Sequence, residues 1–234
     1  MRKKLRVAAA VGGGLLLLIA VGGYLLVRAS QQVPQFYRDA MAVAPAVQRK
    51  ASDQMLRRAT ALVNEVQEEG HWQALFTAEQ INGWLAVDLV ENHPQALPPS
   101  LRDPRVAIDP SGVTLGCRFH QGQLTSVLSL AVEPYLPEPN VLALRICRAR
   151  AGTLPVPLGE VLDRVSAAAG EANLHVHWRQ IDGDPVVFIA IPQPRDQEDR
   201  MVQIESLHLG EDEILLTGST SRRGEHPPAA HGGR

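Results

Sequence analysis

The chain has 234 residues, of which 45% are hydrophobic, and this is enough apolar material for one good core but not for two. Its formal net charge is -2 and its pI is about 6.4, so it lacks the overall basic field that nucleic-acid binding needs. Composition therefore predicts one domain with appendages and argues against nucleic acid as a partner.

The N-terminus has the pattern of a membrane anchor. Four cations in "MRKKLR" precede the uncharged stretch Val7–Val27, whose 21 residues at about 1.5 Å each would cover the roughly 30 Å of a bilayer interior. These cations, against Arg28 and Arg38 beyond the stretch, predict a single-pass protein with a cytoplasmic N-terminus and an extracytoplasmic remainder. A cleaved signal peptide is the alternative, although its apolar core would usually span only about 7–15 residues.

Two helical patterns follow the anchor. In residues 46–69 apolar side chains recur at steps of three and four, and Gly70 can end the helix in a left-handed conformation. This helix would either pack on the domain or form a stalk. In "TAEQINGWL", Thr77 can cap a second helix while Gln80 reaches back to it. That helix would bury one side, made of Ile81, Trp84, Leu85 and Leu89.

From residue 105 onwards the apolar period changes to two, which is typical of strands. Asp109 to Gly112 have hairpin chemistry, and a proline-rich turn over residues 134–139 separates the next two strands. The pattern predicts a four-strand antiparallel meander, with later hairpins at residues 182–184 and 210–212. We therefore predict an α+β fold in which an N-terminal transmembrane helix precedes helices packed on a mainly antiparallel, curved meander sheet.

Composition shifts divide the chain into four parts. We assign residues 1–28 to a basic cytoplasmic stub and transmembrane anchor, and residues 29–74 to a connector and membrane-proximal helix. The extracytoplasmic α+β domain is predicted over residues 75–220. Residues 221–234 carry no apolar side chain larger than alanine's, which predicts a disordered tail.

The stretch "GTLPVPLGEVLDRV" is predicted to be a rigid corner between a strand and a helix. Pro155 keeps the preceding residue extended and removes an N–H donor, while Pro157 suits the first turn of a helix. Gly170 would end that helix. Its apolar stripe would consist of Leu158, Val161, Leu162 and Val165.

Cys117 and Cys147 both fall in predicted strands. In a simple meander a third strand lies between them, which would separate their Cα atoms by more than a disulfide spans. We therefore predict two buried thiols, although an extracytoplasmic location would permit a bridge.

The order of these motifs resembles that of the YpmS-like family of bacterial membrane-anchored proteins. In that family a threonine-led helix precedes the sheet, a strand ends in a Glu-Pro pair, and a Gly-x-Leu-x-Pro-x stretch feeds a helix before a last pair of strands. The resemblance covers residues 75–220 and implies an extracytoplasmic α+β domain on one membrane helix, without catalytic residues. The long helix over residues 46–69 departs from the family's shorter membrane-proximal part. The matching positions here are Thr77, Glu133, Pro134, Gly152, Leu154, Pro155 and Gly210.

Catalytic signals are few. His175 and His177 stand two apart on a strand, as a pair of zinc ligands would, but no third ligand is near them in the sequence. A metal-dependent enzyme is thus a remote alternative. No phosphate-binding loop and no nucleophile elbow is present, so we predict a non-enzymatic protein without cofactor or metal.

Two non-enzymatic functions are open. In the first, the sheet and helices bind a lipid or another apolar envelope molecule, through apolar side chains at Leu128, Leu130, Val132, Leu142, Leu144 and Ile146. In the second, the domain is an envelope scaffold that docks a protein partner through a sheet edge or an exposed helix. Four arginines on neighbouring strands would meet anionic headgroups or a partner's acids: Arg118, Arg145, Arg148 and Arg150. We favour the first function, at the cell membrane and next to the bilayer.

Overall fold

The computed structural model describes residues 22–122, 124–157, 159, 162–163, 166, 170, 176–191 and 200–222. Most of the predicted anchor, almost all of the predicted tail and His175 lie outside these residues. Within the described part of the chain, no helix is long and apolar enough to cross a membrane. The first described element is the helical stretch 22–30, which we label α1.

Four further helices with complete bounds and ten strands follow in the described part of the chain, so the fold is α+β and mainly antiparallel, as predicted. The helices are α2 (Gln35–Met41), α3 (Pro45–Gln67), α4 (Ala78–Ala86) and α5 (Asp88–Asn92). The strands are β1 (Gly70–Thr77), β2 (Leu101–Asp109), β3 (Gly112–Gln121), β4 (Leu124–Glu138), β5 (Val141–Ala151), β6 (Leu154–Pro155), β7 (Val176–Ile181), β8 (Asp184–Ala190), β9 (Arg200–Gly210) and β10 (Glu213–Arg222). Residues 159, 162, 163, 166 and 170 are also helical.

The larger sheet has the order β2-β3-β4-β5-β8-β7, and β6 pairs with part of β5. Its first four strands form the predicted antiparallel meander. The turn between β2 and β3 is held by the Asp109 carboxylate, which accepts a hydrogen bond from the backbone N–H of Ser111 at 2.8 Å. Hydrogen bonds from the Ser111 hydroxyl and backbone lower the pKa of Asp109.

The prediction of a turn over residues 134–139 was wrong, because β4 runs through this segment to Glu138 and only Pro139 and Asn140 form the turn. The ladder with β3 ends at Val132, so β4 is paired only with β5 beyond that point. Proline is tolerated on a strand whose one edge is unpaired. Pro134 therefore lies opposite Leu144 inside the strand.

The smaller sheet has the order β1-β10-β9, and the sequence analysis missed its strand β1. Trp72, Ala74 and Phe76 are buried and alternate with exposed residues, so the period-two signal is present. Helix α3 ends earlier than expected, because Glu68 is already extended and Gly70 opens the strand instead of capping the helix. Strand β1 also crosses the predicted domain boundary between residues 74 and 75.

Helix α4 begins as predicted, with a reciprocal capping box. Thr77 accepts a hydrogen bond from the N–H of Gln80, and the Gln80 side chain accepts one from the N–H of Thr77, both at 3.2 Å. Ile81 and Leu85 pack on the core cluster formed by Ala78, Val106 and Ile108. The predicted apolar side of the helix therefore faces the larger sheet.

Helix α3 packs on the domain at its crossing with α4. A Cβ atom on Gly83 would lie 2.6 Å from the Cβ of Ala51, so the two helices approach each other at a distance that only glycine permits. Ala51 and Ser52 are buried there. Of the two alternatives for this helix, the described structure supports packing on the domain.

Two asparagines join neighbouring elements, because each side-chain amide both donates to and accepts from the backbone of a strand, as a paired strand would. The Asn82 side chain donates to the carbonyl of Val106 and accepts from its N–H, both at 2.8 Å, which occupies the outer edge of β2. The Asn140 side chain donates to the carbonyl of Val202 and accepts from the N–H of Ile204, again at 2.8 Å. Asn140 thereby links the β4–β5 turn of the larger sheet to β9 of the smaller sheet.

Both cysteines are free, and they lie on β3 and β5 with β4 between them. The prediction of two buried thiols was wrong, because Cys117 is half-buried and Cys147 is exposed. Cys147 falls where the pairing of β4 with β5 skips a residue, between Ile146 and Arg148. Such a bulge residue is left without a partner across the ladder.

Replacing Asn140 tests how much the asparagine link stabilises the two sheets. Asn140 has a φ of 61°, which glycine adopts without strain, so Asn140→Gly removes the side-chain bonds without straining the folded backbone. We expect the free energy of unfolding to fall by about 2 kcal/mol, because two backbone groups lose their partner. Urea unfolding of the full chain in detergent micelles measures this change. Asn92→Ala, which removes one exposed side-chain bond to Asp88, should cost less than about 0.5 kcal/mol, and equal losses would contradict this role of Asn140.

Candidate ligand-binding site beside the end of helix α1

The six apolar candidate residues share one face of the larger sheet, which we call the apolar face. Register places Leu130 opposite Ala149, and Val132 opposite Ile146. The same face carries Val106 and Leu115, next to the core cluster under α4. Val132 and Ile146 are buried and the other four candidates are half-buried, namely Leu128, Leu130, Leu142 and Leu144.

The opposite face is basic because of the bulge at Cys147. Without a bulge, Arg145 would point away from Arg148 and Arg150, since their positions differ in parity. With it, Arg145 lies opposite Glu133, Arg148 opposite Ala131 and Arg150 opposite Ser129, and these three β4 residues share one face. Arg118 pairs with Val127 on the same face. We call this the basic face.

The four arginines of the basic face divide into two pairs. Arg118 lies 3.1 Å from the Asp103 carboxylate, and Arg145 lies within 3.7–3.9 Å of three carboxylates, those of Glu133, Asp182 and Asp184. The charges of Arg118 and Arg145 are therefore balanced by carboxylates of the protein itself. Arg148 and Arg150 are exposed, and no ion pair joins either of them to another described residue.

The end of α1 rests on the motif "GTLPVP". Gly152 has a φ of +60°, and a Cβ atom there would collide with the carbonyl oxygens of Ala29 and Ser30. Thr153 donates to the Ala29 carbonyl from its N–H at 3.1 Å and from its hydroxyl at 3.2 Å. The Ser126 hydroxyl donates to the Ser30 carbonyl. Three donors, on β4 and in the turn after β5, thus bond to the last carbonyls of α1.

The rest of the motif forms the predicted corner. Leu154 and Pro155 make up β6, which pairs with Ala151 and Arg150, and Pro157 is exposed after it. The helix that follows is described at five positions only, where the Ser166 hydroxyl accepts a hydrogen bond from Trp178 Nε1 at 2.8 Å. Of its predicted apolar stripe, Leu158, Val161 and Val165 lie outside the described residues.

Residues 31–42 continue from the helix end across the basic face and leave a cleft on each side of Val33. The first cleft, of about 280 Å³, lies on the Arg148 and Arg150 side. Its floor follows two rows across the strands, Thr114–Ala131–Arg148 and Gly116–Ser129–Arg150. Phe36 closes it, because a Cβ atom on Gly116 would lie 2.9 Å from the Phe36 ring. We call it the basic cleft.

The second cleft, of about 410 Å³, is bounded by α2 and β4 and contains Arg38 and Arg118. Tyr37 fixes α2 beside it, since its ring is buried and its hydroxyl donates to the Asp103 carbonyl at 2.7 Å. Burial, with a smaller contribution from the Asp103 charge, raises the pKa of Tyr37 to about 12. No aspartate or glutamate is among the described residues that line either cleft.

The described structure does not place the predicted pair, His175 and His177, in a metal site. His177 is exposed on β7, and His175 lies outside the described residues. No group of three His, Cys, Asp or Glu side chains with metal-binding geometry occurs among the residues that the structure describes. The zinc alternative therefore gains no support from geometry.

No protein-family model, curated protein or solved structure matches this chain. The resemblance to the YpmS-like family therefore stays a prediction.

The end of α1 is held by Ser126, Gly152 and Thr153, which we call the seat of α1. Its contribution can be tested at Gly152. Gly122 has almost the same φ, +61°, but open space where its Cβ would be, so Gly122→Ala measures backbone strain alone. We expect a loss of about 1 kcal/mol for Gly122→Ala and about 3 kcal/mol for Gly152→Ala, which adds the collision with α1. Urea unfolding gives both values, and trypsin cleavage after Arg28 should quicken only in Gly152→Ala. Equal losses and equal cleavage rates would show that α1 does not depend on this seat.

Proposed function

We propose that the chain is a single-pass membrane protein of YpmS-like type, with its N-terminus in the cytoplasm, whose extracytoplasmic domain binds a lipid at the bilayer surface and catalyses no reaction. The observation that carries this proposal is the seat of α1 on Ser126, Gly152 and Thr153. If Val7–Val27 crosses the membrane, the domain is held directly at the point where the chain leaves the bilayer.

The length of chain between the anchor and the basic cleft supports this position. Gln32, which lines the cleft, comes five positions after Val27. Five extended residues span at most about 18 Å. The basic cleft would therefore lie within reach of lipid headgroups, and a lipid could enter it from the bilayer without crossing open water.

The scaffold alternative is less favoured where it depends on a free sheet edge. Of the four strands that end the two sheets, three have one or two positions that bond to a side chain from another element of the domain. The side chain of Asn82 bonds to β2, and that of Asn140 bonds to β9. Arg58 donates a hydrogen bond to the carbonyl of Gln73 on β1. Among the described residues, the outer edge of β7 and the part of β4 beyond Val132 are left for a partner to extend the sheet.

The topology of the proposal can be tested through Cys147. A membrane-impermeant maleimide applied to intact cells at pH 8 should label this exposed thiol and spare Cys117, because burial raises the pKa of Cys117 to about 11 and keeps it protonated. The pKa of Cys147 is also raised, through partial burial and the nearby Glu133, so its labelling should be slow but complete. Cys147→Ser is the control that should abolish labelling. Labelling that requires cell lysis would place the domain in the cytoplasm.

Lipid binding can be tested by native mass spectrometry of the full chain, purified from bacterial membranes in a neutral detergent. We expect a stoichiometric lipid adduct whose identity is read after extraction, because the domain is held at the headgroup level. Gly152→Ala, which should release α1 from its seat, is expected to retain less of it. A mass without lipid would overturn the lipid proposal, and a co-purifying protein in its place would favour the scaffold. A bound zinc ion would instead favour the enzyme alternative that involves His175 and His177.

A further inference from the structure

The basic cleft contains donors that no group among the described residues uses. Arg148 and Arg150 make no ion pair with a described residue, unlike Arg118 and Arg145 on the same face. The hydroxyls of Thr114 and Ser129 lie on the same two rows, and neither makes a hydrogen bond to a described protein group. Two cationic and two neutral donors thus line one small space.

The chemistry of these donors selects a class of ligand. A guanidinium presents N–H groups in a planar fork that matches two oxygens of a phosphate or carboxylate, and hydroxyls donate to further oxygens. No acidic side chain is among the described residues that line the cleft, so an anion would meet no repulsion from a carboxylate there. A ligand with several anionic oxygens on one centre fits this set better than a neutral one.

The shape of the cleft follows from small side chains in its floor. Gly116 and Ala131 stand between the donors, and a larger residue at Gly116 would meet Phe36 and Tyr37. The open space of about 280 Å³ lies beside residues 32–34, which come directly after the end of α1. The donors are therefore gathered at the side of the domain where the chain enters it.

We propose that the basic cleft binds the phosphate of an anionic phospholipid headgroup, with Arg148 and Arg150 as the charged ligands and Thr114 and Ser129 as additional donors. This inference rests on the proposed function, since it takes the domain to be at the bilayer surface. It adds the class of lipid and selects two of the four arginines on the basic face.

A structural role for the same arginines makes a different prediction. The C-terminal end of a helix carries a partial negative charge, and nearby cations stabilise it. If Arg148 and Arg150 acted only in this way towards α1, their loss would lower the melting temperature and leave lipid binding unchanged. Binding and stability must therefore be measured on the same variants.

The test uses the full chain in neutral detergent and native mass spectrometry. Dioctanoyl phosphatidylglycerol is compared with dioctanoylglycerol, which has the same chains without a phosphate, and inorganic phosphate is added in a third titration. The variant is Arg148→Gln/Arg150→Gln. Its matched control is Arg49→Gln/Arg57→Gln, which removes two exposed arginines of α3. Arg148→Lys/Arg150→Lys keeps the charge beside α1 and serves if the glutamine variant does not fold.

We expect the natural chain and the α3 control to bind phosphatidylglycerol in preference to dioctanoylglycerol. The glutamine variant should bind phosphatidylglycerol about tenfold more weakly or worse, with a melting temperature equal to that of the control, and the lysine variant should be intermediate.

Three outcomes would overturn the inference. Equal binding of both lipids, with no effect of the arginine variants, would leave lipid binding but refute this site. Inorganic phosphate that displaces the lipid at equal concentration would assign the cleft to a free anion. A natural chain that binds neither lipid would refute the proposed function itself.

Discussion

The contact between the end of α1 and the motif around Gly152 sets the position of everything that follows it in the chain. Carbonyl groups at a helix end need donors, and this helix receives them from Ser126 on β4 and from Thr153 in the turn between β5 and β6. Gly152 can accept the helix end because it has no Cβ and adopts a positive φ. Residues 31–42 must then cross the basic face, which creates both clefts.

Two asparagine links join other elements of the domain to each other. Asn82 ties α4 to the edge of β2, and Asn140 ties the long hairpin of β4 and β5 to the smaller sheet. Each link replaces a pair of strand hydrogen bonds that would otherwise be open to water or to another chain. The links therefore cover part of the edges of β2 and β9, while Arg148 and Arg150 in the basic cleft make no ion pair with a described residue.

Local patterns predicted a large part of this fold. The capping box of Thr77 and Gln80, the turn after Asp109 and the four-strand meander all depend on neighbours within a few residues, and all three are present. The continuation of β4 through Pro134 was missed, because whether a strand tolerates proline depends on which of its edges is paired. Strand β1 was missed although its alternation is clear, since its partner β10 lies far away in sequence.

The candidate site shows the same division. The sequence alone identified the six apolar candidate residues, the four arginines and the motif "GTLPVP", because each is recognised by residue type and spacing. Only the tertiary structure decided which arginines are neutralised, since that depends on Asp103, Glu133, Asp182 and Asp184 being brought to the basic face. It also decided that Gly152 is the seat of α1, because contact between residues 29–30 and 152–153 joins segments more than a hundred residues apart. Short-range periodicity carries no information about such a contact, and the bulge at Cys147, which aligns Arg145 with Arg148 and Arg150, becomes visible only once β4 is paired with β5.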